Sequence, residues 1–141
     1  MIHRWPLAVA LAILTAQTAA AAPKPAKPQK ECPHAISDPE AIVKTIGKAA
    51  TCTESMEIFE ACAYGASGDT EFGDAVIGRC ERDFLATLGP QQKRAYEAER
   101  KACDRKYAKK SGSMYVSFTA FCHAGVAQKY SLRATRTPPR R

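Results

Sequence analysis

Long apolar runs are the first thing that this 141-residue chain lacks. The longest one, from Leu7 to Leu14, is well short of the roughly 20 apolar residues that a membrane-spanning helix needs. No later segment comes near that length. We therefore predict that the protein has no transmembrane segment.

Residues suited to catalysis or to metal binding are also scarce. The three histidines are His3, His34 and His123. His3 lies in the N-terminal signal, His34 in a segment that we expect to be a linker, and His123 at a position predicted to be solvated. The sequence contains no Cys-x2-Cys pair, no Gly-x-Ser-x-Gly nucleophile motif and no glycine-rich phosphate loop between a strand and a helix. We therefore expect no enzyme, no cofactor and no metal site.

What the chain does have is an export signal followed by six cysteines. Residues 1–22 combine a basic start, an apolar stretch and an alanine-rich end that signal peptidase could cut. In an oxidising compartment a small domain gains roughly 2–4 kcal/mol per disulfide. We predict a periplasmic or secreted protein with its cysteines in disulfides. These are Cys32, Cys52, Cys62, Cys80, Cys103 and Cys122.

Composition divides the remainder of the chain into three parts. Residues 23–31 are rich in proline and lysine, which favours an extended linker. Residues 133–141 form a basic, proline-bearing segment without apolar periodicity, which indicates a disordered tail. One folded domain is therefore expected over residues 32–132.

Helical periodicity fills this domain, and no segment shows the sustained alternation of a β-strand. The expected helices cover residues 39–50, a segment that begins after Thr53 and ends before Gly65, and residues 69–88, 90–109 and 114–132. Their predicted N-caps include Ser37, Thr53 and Asp69. The core positions expected of the last helix are Met114, Phe118, Cys122 and Val126. The sequence thus predicts an all-α bundle of four to five helices stapled by disulfides.

Six cysteines allow 15 pairings, and the sequence favours one pair among them. Cys103 and Cys122 flank the turn at Ser111 to Ser113, and the helices on either side of that turn should lie antiparallel. We expect these two cysteines to be bonded to each other.

The C-terminal part of the domain resembles a known family. Gly112-Ser113-Met114-Tyr115, followed by Cys122 and Leu132, is similar to the ending of the LprI-like lysozyme inhibitors, which are small exported bacterial helical proteins. The run of Tyr96, Arg100 and Cys103 is similar to the aromatic, arginine and cysteine run of that family. The resemblance covers about residues 52–132.

The resemblance has two implications. Cys52 and Cys62, with Asp69 behind them, match the paired cysteines of the family, which would leave Cys32 and Cys80 as an additional pair. Some members inhibit lysozyme, so the resemblance implies an exported binding protein that inhibits lysozyme-type glycosidases.

A docking surface for such a partner is expected near the turn between the last two helices. A turn tethered by Cys103 and Cys122 would be rigid, and exposed Tyr and Arg side chains often anchor interfaces. The expected surface comprises Tyr96, Arg100, Met114 and Tyr115. The alternative is that Met114 and Tyr115 begin the core face of the last helix.

Charge suggests a second kind of partner. The chain carries 21 Lys and Arg residues against 14 Asp and Glu residues, a formal net charge of +7. Such a protein is attracted to anionic cell-surface polymers over a long range. Nucleic acid is not expected outside the cytoplasm. A third alternative is a periplasmic stress protein that holds unfolded exported proteins.

Overall fold

A computed structural model describes residues 30–136 of the chain. The predicted signal at residues 1–22 and nearly all of the predicted linker lie outside the described residues. Residues 137–141 of the predicted tail lie outside them as well.

Within the described residues the chain forms five α-helices and no strand, so the prediction of an all-α bundle is confirmed. A 3₁₀ turn, Leu85–Thr87, lies between the third and fourth helices. The helices are α1 Pro39–Lys48, α2 Cys52–Cys62, α3 Asp69–Glu81, α4 Pro90–Tyr107 and α5 Ser113–Arg136.

Two predicted N-caps were wrong by one or two residues. Asp38, not Ser37, caps α1, and its carboxylate accepts a hydrogen bond from the backbone N–H of Ala41 at 3.1 Å. Thr51, not Thr53, caps α2, and its hydroxyl accepts from the backbone N–H of Glu54 at 3.0 Å. Both structural caps place a side-chain oxygen three residues before the amide that it satisfies.

Two helix ends also differ from prediction. α3 stops at Glu81, short of Leu88, because the chain turns there and carries Phe84 back into the core, where it is 1% exposed. α5 continues to Arg136, so the domain boundary expected after Leu132 falls inside this helix.

α3 lies at the centre of the bundle, where it packs against α1, α2 and α5, and α4 packs on the outer side of α5. The core holds two aromatic groups. Phe59 of α2 stacks on Phe121 of α5 with ring centroids 4.1 Å apart. Phe84, Tyr96 and Tyr130 form the second group, with centroids 5.0 to 5.5 Å apart. The predicted inner faces of α1, α2 and α3 are buried, including Ile42, Ile46, Phe59, Phe72, Val76 and Cys80.

The inner face predicted for α5 was correct for Val126, which packs against the core, and wrong for its first two positions. Met114 and Phe118 are 48% and 41% exposed. The buried stripe consists of small residues instead: Ser117, Ala120, Ala124, Ala127 and Ser131. Small side chains are required here because α3 and α5 approach closely: a Cβ on Gly73 would lie only 3.0 Å from the Cβ of Ala120.

Two serine–aspartate hydrogen bonds join α5 to α3 and to the turn after it. The Ser117 hydroxyl donates to the Asp69 carboxylate at 2.6 Å, and the Ser131 hydroxyl donates to Asp83 at 2.5 Å. Burial opposes ionisation of Asp83, but the hydrogen bonds from Ser131 and Arg79 outweigh it and hold the pKa of this carboxyl below its ordinary value. These contacts fix the position of α5 along α3.

Asp69 was predicted to cap α3, and it has a different role. It is the first residue of the helix and is fully buried. Its carboxylate accepts backbone N–H bonds from Tyr64, Gly65 and Ala66 at 2.9 to 3.3 Å, besides the Ser117 hydroxyl. One side chain therefore organises the α2–α3 loop and ties it to α5.

The three disulfides are Cys32–Cys62, Cys52–Cys80 and Cys103–Cys122. The predicted Cys103–Cys122 bond is confirmed. The pairing implied by the resemblance, Cys52 with Cys62 and Cys32 with Cys80, was wrong. Cys52 and Cys62 are the first and last residues of α2, so their Cα atoms lie about 15 Å apart, beyond the roughly 7 Å that a disulfide can span. The disulfides indicate that the protein folds in an oxidising environment.

Candidate functional site

Tyr96, expected on a docking surface, is part of the core. Its ring is 3% exposed and packs edge-on against Phe84 and Tyr130. The hydroxyl donates to Oε1 of Glu81 at 2.9 Å. Burial, together with the neighbouring Glu81 carboxylate, raises the pKa of Tyr96 well above its ordinary value. Tyr96 therefore anchors α4 to the end of α3 and offers nothing to a partner.

Arg100 is half-buried and directed toward the interior of the bundle. Its guanidinium lies 5.9 Å from the centre of the Tyr96 ring and 3.8 Å from Glu81. A terminal nitrogen also approaches Nδ1 of His123 at 3.5 Å. The expected interface anchor is thus largely engaged in contacts within the fold.

His123 was predicted to be solvated, and this was wrong. Its Nε2 lies 2.8 Å from a carboxylate oxygen of Asp104, while its Nδ1 faces Arg100. A neutral ring with the proton on Nε2 donates to Asp104 and accepts from Arg100, so one tautomer satisfies both contacts. The pair joins α4 to α5 beside the Cys103–Cys122 bond. This contact could not be predicted from the sequence, because Asp104 and His123 lie on different helices.

A second polar link joins α4 to α5 further along the two helices. Glu99 pairs with the Lys129 ammonium and accepts the Tyr130 hydroxyl at 3.1 Å. The hydrogen bond from Lys129 lowers the pKa of Glu99, whereas burial and the Glu99 carboxylate raise the pKa of Tyr130. Glu99, the acidic residue on this side of α4, is therefore engaged in contacts within the fold.

Met114 and Tyr115, the other two expected docking residues, do lie at the surface. Met114 is exposed, and Tyr115 is half-buried in a small aromatic cluster with Tyr107 and Phe118. The ring centroids in this cluster are 5.9 to 6.3 Å apart. The cluster is separate from the hydrophobic core, which includes none of these residues.

Lysines surround this cluster. The Lys106 ammonium lies 5.0 Å from the Tyr107 ring centre, and the Lys110 ammonium lies 5.9 Å from that of Tyr115. Lys109 is exposed in the same turn. We call this region the tip surface: Tyr107, Met114, Tyr115 and Phe118 with Lys106, Lys109 and Lys110. Neither Tyr107 nor Phe118 was predicted at the surface, and Phe118 was expected among the core positions of the last helix.

A row of cations leads along α4 to the tip surface. Arg94, Lys101 and Arg105 follow one another at seven and four residues, which places them on one face over about 16 Å. All three are exposed, and none has an ion-pair or hydrogen-bond partner within residues 30–136. We call them the basic face. The sequence signal was the seven- and four-residue spacing of these three cations.

The grooves on the described surface present few polar groups to a ligand. A groove of about 180 Å³ lies beside the tip surface, between Tyr107, Lys110, Tyr115 and Val116. An open groove of about 480 Å³ lies where α3 meets α4, and its polar members include Glu81 and Arg82. Glu81 already accepts a hydrogen bond from Tyr96, and Arg82 already donates one to the Gly47 carbonyl. Among residues 30–136, no cluster of His, Cys, Asp or Glu is placed to hold a metal ion.

None of the helices in the described part of the chain has the length and apolar character needed to cross a membrane. No family model, curated protein or solved structure matches the chain. Fold and surface together define a disulfide-stapled helical bundle that exposes aromatic and basic side chains at one end.

Proposed function

We propose that this chain is an exported, non-enzymatic protein that binds an anionic component of the cell envelope. It would act in the periplasm or outside the cell, where its disulfides persist. Binding uses the basic face of α4 and the lysines of the tip surface.

The observation that carries this proposal is the uncompensated charge of the basic face. Several cations of the bundle are paired, as in Arg79 with Asp83 and Lys129 with Glu99. Within residues 30–136, Arg94, Lys101 and Arg105 form no such pair. An exposed row of unpaired cations attracts a polyanion at long range and gains further from each close contact, which is worth about 1 kcal/mol at an anionic surface.

Inhibition of a lysozyme-type glycosidase is the second candidate. It is supported by the resemblance of the Gly112-to-Tyr115 segment and by the position of that segment in the structure. Met114 and Tyr115 are accessible beside a turn whose flanking helices are cross-linked by Cys103–Cys122, so little flexibility would be lost on binding. The glycosidase cleft would supply the acidic partner, since such enzymes act through paired carboxylates.

Removing two charges from the basic face should separate specific docking from net charge. We expect Lys101→Gln with Arg105→Gln to weaken binding to envelope fractions about thirtyfold at low salt, because two surface contacts of about 1 kcal/mol each are lost. Wild-type binding should fall steeply as salt rises. The measurement is cosedimentation of the oxidised protein, recovered after export, with isolated envelope fractions.

Lys44→Gln with Lys48→Gln is the matched control, since these are also two exposed cations four residues apart, on α1. It should change binding less than twofold. Equal losses in the two variants would show that only net charge matters. Inhibition of lysozyme at a fixed stoichiometry that is lost with Tyr115→Ala and kept with the Lys101 and Arg105 changes would favour the second candidate instead.

A further inference from the structure

The tip surface carries apolar groups that binding to a dissolved polyanion would not use. Met114 and Phe118 are 48% and 41% exposed and lie four residues apart, on the same flank of α5. The rings of Tyr107, Tyr115 and Phe118 contact one another and no ring of the core. The fold has therefore gathered apolar area at one end of the bundle and left much of it in water.

The charges around this apolar group are all of one sign along the chain. Lys106, Lys109 and Lys110 precede it, and the nearest acidic residue in the sequence, Asp104, is engaged by His123. From Arg105 to Arg141 the chain contains no acidic residue. An apolar centre flanked by unopposed lysines and by tyrosines is the pattern of an element that lies in a membrane interface, where rings sit at headgroup level and lysines meet phosphates.

We infer that the tip surface docks on an anionic phospholipid bilayer, with Met114 and Phe118 inserted at the boundary between headgroups and acyl chains. This inference rests on the proposed function and names the anionic component. A bilayer accounts for both features of the surface: its phosphates pair with the lysines, and its acyl boundary removes the exposed apolar side chains from water.

The geometry keeps the cost of docking low. The Cys103–Cys122 bond closes the α4–α5 hairpin about one turn from Tyr107 and Phe118, with Cα atoms 5.7 Å apart. The His123 contact to Asp104 braces the same region. The tip surface therefore presents its side chains on two fixed helix ends, and binding orders little additional backbone.

Vesicle binding by the oxidised protein, recovered after export, tests this inference. The probes are vesicles of phosphatidylcholine alone, vesicles that also contain phosphatidylglycerol, and dextran sulfate as a soluble polyanion. We expect binding to the phosphatidylglycerol vesicles and to dextran sulfate but not to the vesicles of phosphatidylcholine alone. Vesicle binding should fall about tenfold or more with Met114→Ser plus Phe118→Ser, because two partly buried side chains are removed from the lipid. Binding of dextran sulfate should change less than twofold in this variant.

Ile36→Ser is the matched control, because Ile36 is 42% exposed and lies far from α5 in the sequence. It should leave vesicle binding unchanged, and circular dichroism should show that each variant is folded. Vesicle binding that is insensitive to the Met114 and Phe118 changes would overturn the inference. Binding of dextran sulfate without vesicle binding would also overturn it while leaving the proposed function standing. If the wild-type protein binds neither vesicles nor dextran sulfate, both the inference and the proposed function are wrong.

Discussion

Replacing Asp69 by alanine is expected to destabilise the protein by roughly 3 kcal/mol or more. The change removes a fully buried acceptor of four hydrogen bonds and leaves the Ser117 hydroxyl without a partner in the core. For a domain of this size the melting temperature should fall by roughly 12 °C or more. Thermal unfolding followed by circular dichroism measures it.

Asp74→Ala provides the control for this prediction. Asp74 is exposed on the same helix, so its replacement should change stability by less than about 0.5 kcal/mol. The stability of the Asp69→Asn variant should lie between those of the two alanine variants, because asparagine keeps one acceptor oxygen but directs an amide group at backbone donors. A melting temperature for Asp69→Ala that matches the wild type would contradict the role assigned to this carboxylate.

Removing the Cys52–Cys80 disulfide should have an effect of similar size. The bond joins the start of α2 to the end of α3 across 28 residues, and closing a loop of that length is worth about 3 to 4 kcal/mol. Both sulfur atoms are also in the core, since Cys52 is 2% exposed and Cys80 is fully buried. We expect the Cys52→Ala, Cys80→Ala variant to melt at least roughly 12 °C below the wild type.

Comparison with the Cys32–Cys62 bond separates loop closure from packing. That bond spans 30 residues, but Cys32 is only half-buried. Loop entropy alone predicts nearly equal losses for the two double variants, whereas packing makes the loss of Cys52 and Cys80 the larger one. A greater loss for the Cys32 and Cys62 variant would contradict this packing contribution.

Much of the fold could be predicted because large apolar residues mark helix faces. The stripes containing Ile42, Phe59 and Phe72 predicted buried faces that the structure confirms. The same rule failed on α5, where alanine and serine form the buried stripe. Small residues carry little periodic signal, so Met114 and Phe118 were assigned to a core that they do not enter.

The tertiary contacts could not be read from spacing. Asp69 was predicted from the sequence as an N-cap, and only the return of α5 to α3 shows that its carboxylate serves Ser117. Tyr96 and Arg100 were expected at the surface, and they face inward because Glu81 lies at the end of the neighbouring helix. The Cys103–Cys122 bond was predictable because a short turn brings its two helices together, whereas the other two bonds depend on how α1, α2 and α3 pack.

Hydrogen exchange of the oxidised protein, alone and bound to envelope fractions, tests the central claim that the partner docks at the α4–α5 end. Amides from Ser111 to Met114 lie in the turn or in the first turn of α5, where no helical bond protects them, so they should exchange rapidly in the free protein. We expect binding to slow exchange there and at the end of α4, and to leave the α1–α2 turn around Ala50 unchanged. Slowed exchange around Ala50, with no change from Lys106 to Phe118, would contradict it.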